Sequence, residues 1–234
     1  DYKRINTIVG WMVFIFATTV YFMTVEPTTS LWDCGEYITT AYKLEVGHPP
    51  GAPLFMMLGR LFTMFSGPEG AAMMVNLMSA LSSSFTILFL FWTITMLGKK
   101  AILNPGLSLF SSDSASNDFD DVEEGSEKTS ATKNSRALTK GQQWAILGSG
   151  LIGGIAYTFT DSFWFSAVEG EVYAMSSFFT AIVVWAIFKW DHELADQDAF
   201  PDDEELQSSN ADRWIVLIFF MIGLSIGVHL LNLL

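Results

Sequence analysis

Long stretches of apolar residues dominate the pattern of hydrophobic and polar positions along this chain. A helix needs about 20 such residues to cross the hydrocarbon core of a bilayer, and it leaves no backbone group unpaired in lipid. Five stretches approach this length and predict five membrane-spanning helices, at residues 5–25, 71–97, 144–160, 173–187 and 214–234. The sequence therefore predicts an all-α, polytopic transmembrane helical bundle.

The two ends of the chain bear on how complete it is. Lys3 and Arg4 precede the first apolar stretch, as in a signal peptide. That stretch is too long for a cleaved signal and has no small-residue cleavage pattern, so we expect a retained membrane anchor. The last stretch is still apolar at Leu234, which predicts that a longer chain follows. The length of the intact gene would test this.

Basic residues near the ends of the spans predict which side of the membrane each loop faces, because Lys and Arg favour the cytoplasmic side. They are concentrated before the first span, between the second and third spans, and around the loop between the fourth and fifth. In the loops at 26–70 and 161–171, the only Lys and Arg residues are Lys43 and Arg60. We therefore expect a cytoplasmic N-terminus and two extracytoplasmic loops, 26–70 and 161–171.

This orientation divides the chain into five regions. Two of them, residues 104–141 and 191–213, are predicted to be acidic cytoplasmic loops, the first of them disordered. They hold 16 of the 25 acidic residues, so the net charge of −13 belongs mainly to solvated loops. The sequence has no basic stripe, which excludes nucleic acid as a partner. The remaining regions are 1–103, with two spans and loop 26–70, then 142–190, with spans three and four, and 214–234, with span five.

Glycines in the third span match a dinucleotide-binding pattern at Gly148, Gly150 and Gly153. We reject this interpretation because no strand precedes them and they fall inside an apolar helix. Glycines four residues apart favour close helix packing instead, as at Gly150 and Gly154 and again at positions 223 and 227.

The long loop at 26–70 contains an acidic pair. A short helix over residues 30–46, ended by Gly47 and the prolines that follow, places Asp33 and Glu36 on one face together with Tyr37. Residues 54–65 are apolar but too few to span, so we expect them to lie at the membrane interface or to re-enter it.

A second acidic group lies in the other extracytoplasmic loop. Glu169 and Glu171 come just before the fourth span, where an acid is costly and usually functional. His229 lies near the outer end of the fifth span. Because loop charge places each segment separately, their convergence with the first loop on one membrane face predicts a single pocket.

Each of these residues also has a simpler explanation, which the sequence leaves open. Asp33 could cap the short helix and His48 could be a turn residue before proline. Trp32 could be an interfacial anchor. Glu171 could simply stabilise a helix N-terminus through its negative charge, and His229 could form a hydrogen bond to a neighbouring helix.

Four segments carry a resemblance to a known family: Asp33 to Tyr37, Gly47 to Pro53, 166–173 and 227–234. They resemble the protein O-mannosyltransferase-like family of bacterial membrane proteins, within the C-type glycosyltransferases that use polyprenyl-phosphate sugars. The resemblance covers nearly all of the chain outside the two acidic loops. It implies a multi-pass enzyme of the bacterial inner membrane with an extracytoplasmic active site.

The resemblance also implies roles for residues. Asp33 is the closest match to the catalytic base, with Glu36 as the other candidate, because Cys34 and Gly35 separate the two acids. Such an enzyme transfers a sugar, mannose in this family, to serine or threonine hydroxyls of an acceptor protein. The hydroxyl needs a base, whereas a lipid phosphate leaves readily, so one carboxylate suffices for a single inverting displacement.

The other predicted site residues support these steps. His48, Arg60 and Lys43 are candidates to bind the donor phosphate. Residues expected to bind substrate or support the site are Trp32, Tyr37, Glu169, Glu171, Tyr173 and His229. A divalent cation held by Asp33, Glu36 or Glu171 is left open. The alternatives to an enzyme are a membrane transporter or channel component and a non-catalytic subunit that docks a partner.

Overall fold

The structure is a computed structural model that describes residues 2–103, 138–199 and 211–233. These residues form an all-α fold, as the sequence predicts. They contain eight α-helices: α1 (Tyr2–Thr24), α2 (Cys34–Lys43), α3 (Pro53–Thr63), α4 (Ala71–Leu103), α5 (Lys140–Thr158), α6 (Asp161–Val168), α7 (Val172–Ala199) and α8 (Asp212–Ile226). Short 3-10 helices lie at Pro68–Gly70 and Leu230–Leu233.

Helix α4 is the centre of the bundle and packs against α1, α5 and α7, while α8 packs against α7. Side-chain contacts between helix ends show that the long helices alternate in direction. At one end, the Lys100 ammonium lies 2.6 Å from the Asp191 carboxylate. At the other end, the Tyr21 hydroxyl donates to the carbonyl of Thr158 over 3.1 Å. The loops at 26–70 and 161–171 therefore share one end of the bundle.

Three helical segments are long and apolar enough to cross a membrane: Tyr2–Thr24, Pro68–Leu103 and Val172–Ala195. The other two predicted spans do form helices, but neither meets this criterion. Helix α5 has 19 residues and begins with a polar first turn, and α8 has only 15 residues because the chain turns at Gly227. Five spans therefore remain a prediction, with three candidates established by length and composition.

The loop predictions need correction where the structure describes them. Helix α7 continues to Ala199, so the first part of the predicted acidic loop at 191–213 is helical. Glu193 in this extension accepts a hydrogen bond from Arg213 over 2.9 Å, which ties α7 to α8. The predicted disordered loop at 104–141 lies outside the described residues as far as 137. Its end is ordered, because Thr139 forms a capping box with Gln142 at the start of α5.

The helix expected over 30–46 is shorter, because the backbone departs from helical values on both sides. Trp32 has φ +68° and Leu44 has φ +55°, both in the left-handed region. Helix α2 therefore begins after Asp33 and ends at Lys43. Helix α3 matches the predicted interfacial segment to within two residues at each end and begins with Pro53, a favourable first residue.

Small residues allow α5 to approach α4 closely, as the glycine spacing predicts. A Cβ atom at Gly150 would lie 2.7 Å from the Thr95 methyl group and 2.9 Å from the Phe91 ring. Gly154 faces Val13 of α1 at 3.2 Å. The prediction is wrong for Gly223, where a Cβ atom would meet nothing within 4 Å among the described residues.

Substituting Gly150 with alanine is expected to destabilise the bundle by about 1–3 kcal/mol, because the added methyl group overpacks the interface between α4 and α5. Gly148→Ala is the matched control, since a Cβ atom there meets nothing within 4 Å on the same helix. Alanine is the better helix former, so the control should be neutral or stabilising. Thermal unfolding in detergent measures both, and equal melting temperatures for the two variants would contradict the close packing.

Candidate functional site

The loops at 26–70 and 161–171, which share one end of the bundle, are joined through the start of α4. The Asn76 amide donates to the carbonyls of Glu26, over 2.6 Å, and Thr28, over 2.9 Å. The backbone N–H of Glu26 donates to the carbonyl of Val168 over 3.1 Å. Gly170 packs against the same amide, since a Cβ atom there would lie 2.8 Å from the Asn76 Oδ1. Asn76 thus holds the start of the first loop against the second.

A second junction, which we call the buried cluster, consists of Cys34, Glu169 and Glu171. The Cys34 thiol is completely buried and lies 3.3 Å from the Glu171 carboxylate and 3.7 Å from the Glu169 carboxylate. The Ser30 hydroxyl donates to the same sulfur over 3.0 Å. Burial raises the pKa of the Cys34 thiol to about 12, so it remains protonated and donates to the Glu171 carboxylate, the nearer of the two. The thiol therefore fastens the start of α2 to the start of α7.

Burial also raises the pKa of Glu171, and the nearby negative charges of Glu169 and Asp33 raise it further, although the hydrogen bond from Cys34 acts in the opposite direction. Two carboxylates lie close together here, and neither forms an ion pair with a Lys or Arg in the described part of the chain. The buried cluster is therefore an acidic part of the site.

The exposed cluster, as we name it, consists of Asp33, Glu36 and His48 on the outer side of α2. One ligand atom from each of the three side chains lies within 4.8 Å of the other two. The Glu36 carboxylate accepts the backbone N–H of His48 over 2.6 Å and lies 3.1 Å from the His48 Nδ1. These two hydrogen bonds, the backbone one first, lower the pKa of Glu36. Glu36 is thus ionised and engaged with His48.

The helix-capping interpretation of Asp33 is wrong. Asp33 occupies the N-cap position of α2 but makes no side-chain hydrogen bond to the first turn. Neither Ser30 nor Glu36 completes a capping box, since the Ser30 hydroxyl contacts Cys34 and the Glu36 carboxylate contacts His48. Asp33 therefore presents a carboxylate that no helix cap requires.

Tyr37 lies between the two clusters. Its ring centroid is 5.9 Å from that of His48 and 5.4 Å from that of Phe55. Burial raises the pKa of the Tyr37 hydroxyl, followed by the charges of Asp33, Glu171 and other acidic groups nearby. The pKa of Tyr37 thus depends on side chains from the first loop and from the start of α7, which lie at the same end of the bundle.

The three residues predicted to bind phosphate, His48, Arg60 and Lys43, lie at different places in the structure. Only His48 belongs to the exposed cluster. The Arg60 guanidinium donates to the carbonyl of Tyr42 over 2.7 Å and lies 5.3 Å from the centroid of its ring, which ties α3 to the end of α2. Lys43 is in the last turn of α2, about 10 Å along the helix axis from Glu36. Arg60 is therefore placed to stabilise the helices of the first loop, whereas Lys43 lies apart from the exposed cluster.

The remaining predicted residues lie at the edge of the site. The side chain of Tyr173 is exposed, and its ring centroid lies 5.8 Å from that of His229. Trp32 is 92% exposed and adopts an unusual backbone conformation immediately before Asp33. All three are at the same end of the bundle as the two clusters.

A cavity of about 360 Å³ lies on the opposite face of α2. Its walls include Thr29, Thr39, Tyr42 and Glu69, and none of the predicted catalytic residues lines it. The exposed cluster instead faces open surface.

Both clusters have atoms close enough to hold a metal ion. The exposed cluster offers two carboxylates and an imidazole, whereas the buried cluster offers two carboxylates and a thiol. Oxygen donors suit magnesium or manganese, and the thiol favours softer ions. The exposed cluster is thus the better match to the cation left open by the sequence.

Comparison with known proteins identifies the family. A family model described as "Protein O-mannosyl-transferase TMEM260 N-terminal domain" matches residues 33–234, most of the chain. The chain belongs to this family. The match begins at Asp33, the predicted base, and includes both clusters.

Two curated relatives carry the same name. Protein O-mannosyl-transferase tmem260 of Dictyostelium discoideum is 25% identical over 176 residues, which cover 74% of this chain and 16% of that protein. Protein O-mannosyl-transferase TMEM260 of Mus musculus is 39% identical over 104 residues, which cover 42% of this chain and 14% of that protein. The chain therefore spans a small part of the relatives it matches. No solved structure matches it significantly.

The sequence patterns did not predict three residues that hold the site together: Ser30, Cys34 and Asn76. Cys34 follows a detectable signal, because it begins the buried stripe that continues with Ile38 and Ala41 along α2. Asn76 is an amide near the first end of an apolar helix that could span a membrane, a position where a polar side chain needs a partner. The hydrogen bond from Ser30 to Cys34 has no sequence signal.

Proposed function

We propose that this chain is the membrane-embedded N-terminal part of a glycosyltransferase that moves a sugar, mannose, from a polyprenyl-phosphate donor to serine or threonine hydroxyls. The names of its relatives support mannosyl transfer to protein. The observation that carries the proposal is the Asp33 carboxylate, which has no capping role and lies beside the Glu36 and His48 pair at one end of the bundle.

This arrangement suits the chemistry. A serine or threonine hydroxyl is a poor nucleophile at neutral pH, and a carboxylate within hydrogen-bond reach can take its proton as it attacks the sugar. The phosphate of the donor needs little protonation to leave. A site at the end of an apolar bundle lets the polyprenyl tail remain in lipid while its phosphate reaches Asp33.

We propose a multi-pass protein of the bacterial inner membrane, with five spans, a cytoplasmic N-terminus and an extracytoplasmic site. The alternating helix directions support this orientation, because they bring both loops poor in Lys and Arg to the same end. A divalent cation bound by Asp33, Glu36 or Glu171 is an accessory proposal. Loss of transfer in EDTA, with recovery on adding magnesium or manganese, would support it.

A transporter is less well supported. Transporters place their ionisable residues near the bilayer midplane. The candidate spans have no Asp or Glu between residues 2 and 24, 71 and 103, or 172 and 190, and the described acidic clusters lie at one bundle end.

The test is an assay with the full-length protein, since this chain spans a small part of its relatives. Purified protein is incubated with polyprenyl-phosphate mannose and a serine- and threonine-containing peptide, and the peptide is analysed by mass spectrometry. We expect a peptide heavier by one hexose. If no lipid-linked sugar that is supplied yields a glycosylated peptide, transferase activity is contradicted.

A further inference from the structure

The contact between Glu36 and His48 joins two parts of the first loop at two points. One carboxylate oxygen of Glu36 accepts the backbone N–H of His48, and the other lies 3.1 Å from the Nδ1 of the ring. A carboxylate bonded to Nδ1 fixes the orientation of an imidazole ring and makes Nε2 the nitrogen that is presented outward. The ring is thus oriented by a charged partner.

Further contacts hold the segment that carries His48. The backbone carbonyl of His48 accepts the N–H of Gly51 over 2.8 Å, which closes a turn through Pro49 and Pro50. Gly47 leaves room for the carboxylate, since a Cβ atom there would lie 3.2 Å from the Glu36 Oε1. The end of this segment is anchored where the N–H of Leu54 donates to the carbonyl of Gly227 over 2.7 Å.

This amount of ordering is not explained by stability. The side chains of His48 and Glu36 are 43% and 39% exposed, and an ion pair with that much exposure contributes little to folding. Ordering two exposed side chains costs conformational entropy. A ring held this firmly at the surface is typical of a group that binds or reacts.

The neighbouring Asp33 differs from Glu36 in its contacts. No hydrogen bond of the Asp33 carboxylate occurs among the described residues, whereas both oxygens of Glu36 are engaged. Asp33 is therefore available to receive a proton. His48 is also the one basic side chain of this cluster, because Arg60 is bonded to Tyr42 and Lys43 lies further along α2.

On the basis of the proposed function, we propose that Glu36 is a positioning residue that orients His48 and that Asp33 alone is the base. In this proposal His48 acts as an imidazolium, which donates Nδ1–H to Glu36 and Nε2–H to the donor phosphate. In the transfer step, the acceptor oxygen forms a bond to the anomeric carbon as the bond from that carbon to the phosphate oxygen breaks. The bonding electrons leave with the phosphate, which departs as the polyprenyl phosphate. The hydroxyl proton passes to Asp33 and then to water, while His48 retains its proton.

The kinetic test uses the full-length protein and the single and double variants of this pair. We expect His48→Ala to lower kcat/KM for the lipid-linked sugar by about 100-fold, as for the loss of one oriented donor, with partial rescue by added imidazole. Glu36→Gln should cost less, and the double variant should be no worse than His48→Ala, because the role assigned to Glu36 acts through the ring that His48→Ala removes. Glu45→Gln, an exposed acid of the same loop, is the control and should be unchanged.

A binding test separates this inference from the proposed function. The probe is a short-chain polyprenyl phosphate that carries no sugar, titrated into the same variants in nanodiscs, with nitrogen-15 NMR of His48 as a second measurement. Weaker binding by His48→Ala, together with loss of the Nδ1 hydrogen-bond signature in Glu36→Gln, would support the inference even if no sugar transfer were detected. Unchanged phosphate binding in His48→Ala, or independent effects of Glu36→Gln and His48→Ala in the double variant, would overturn it.

Discussion

Asp33→Asn is expected to lower sugar transfer by the full-length protein by about 1000-fold, within the range that a general base contributes. Asparagine has nearly the same shape but accepts no proton at its amide. Because Asp33 makes no capping hydrogen bond, the change should leave the melting temperature almost unaltered. Initial rates of peptide glycosylation at saturating donor measure the effect.

Two further variants give this experiment its contrast. Asp33→Glu keeps a carboxylate and should recover part of the lost rate, although the longer side chain places the base differently. Glu45→Gln removes an exposed acid of the same loop outside both clusters and should retain full activity. If Asp33→Asn transferred sugar as fast as Glu45→Gln, another group would have to be the base.

Asn76→Ala is expected to lower the free energy of unfolding by about 2–4 kcal/mol, because it removes two hydrogen bonds from a buried amide. The carbonyls of Glu26 and Thr28 would lose their donor at the point where the first loop leaves the bundle. Because this junction also meets Gly170 of the second loop, activity should fall with stability. Thermal unfolding in detergent, followed by tryptophan fluorescence, measures the loss.

Ser79→Ala is the matched control for Asn76→Ala. Ser79 lies three residues further along α4 and is equally buried, yet its hydroxyl has no hydrogen-bond partner in the described part of the chain. Removing that hydroxyl should be neutral or slightly stabilising, because no partner is left unpaired. A similar loss for both variants would mean that any polar residue removed from this helix destabilises it. The role assigned to the Asn76 amide would then be wrong.

The two clusters draw their residues from different loops of the chain. The exposed cluster is carried by α2 and the turn before α3, whereas two of the three residues of the buried cluster come from the second loop. Cys34 and Asp33 are adjacent in sequence, so one residue binds the second loop while its neighbour faces outward. A change that loosens Cys34 would therefore move Asp33 as well.

The hydrophobic pattern by itself predicted an all-α fold of membrane-spanning helices, because lipid permits few ways to satisfy a backbone. The all-α fold is confirmed, and three helical segments are long and apolar enough to cross a membrane. The distribution of Lys and Arg predicted that the acids of both loops lie at one end of the bundle, since basic residues sort the loops between the two sides of a membrane. The glycine spacing correctly predicted close packing at Gly150 and Gly154, because positions four apart share a helix face. Residue type and spacing along a helix are local properties.

Tertiary structure decided which side chains meet. The sequence treated His48, Arg60 and Lys43 as equal candidates, and only the fold of the loop back onto α2 joins His48 to Glu36. The contact of Cys34 with Glu171 joins residues 137 positions apart, and Asn76 reaches back 50 positions to Glu26. Such contacts arise from the packing of whole helices, which no local pattern of residues encodes.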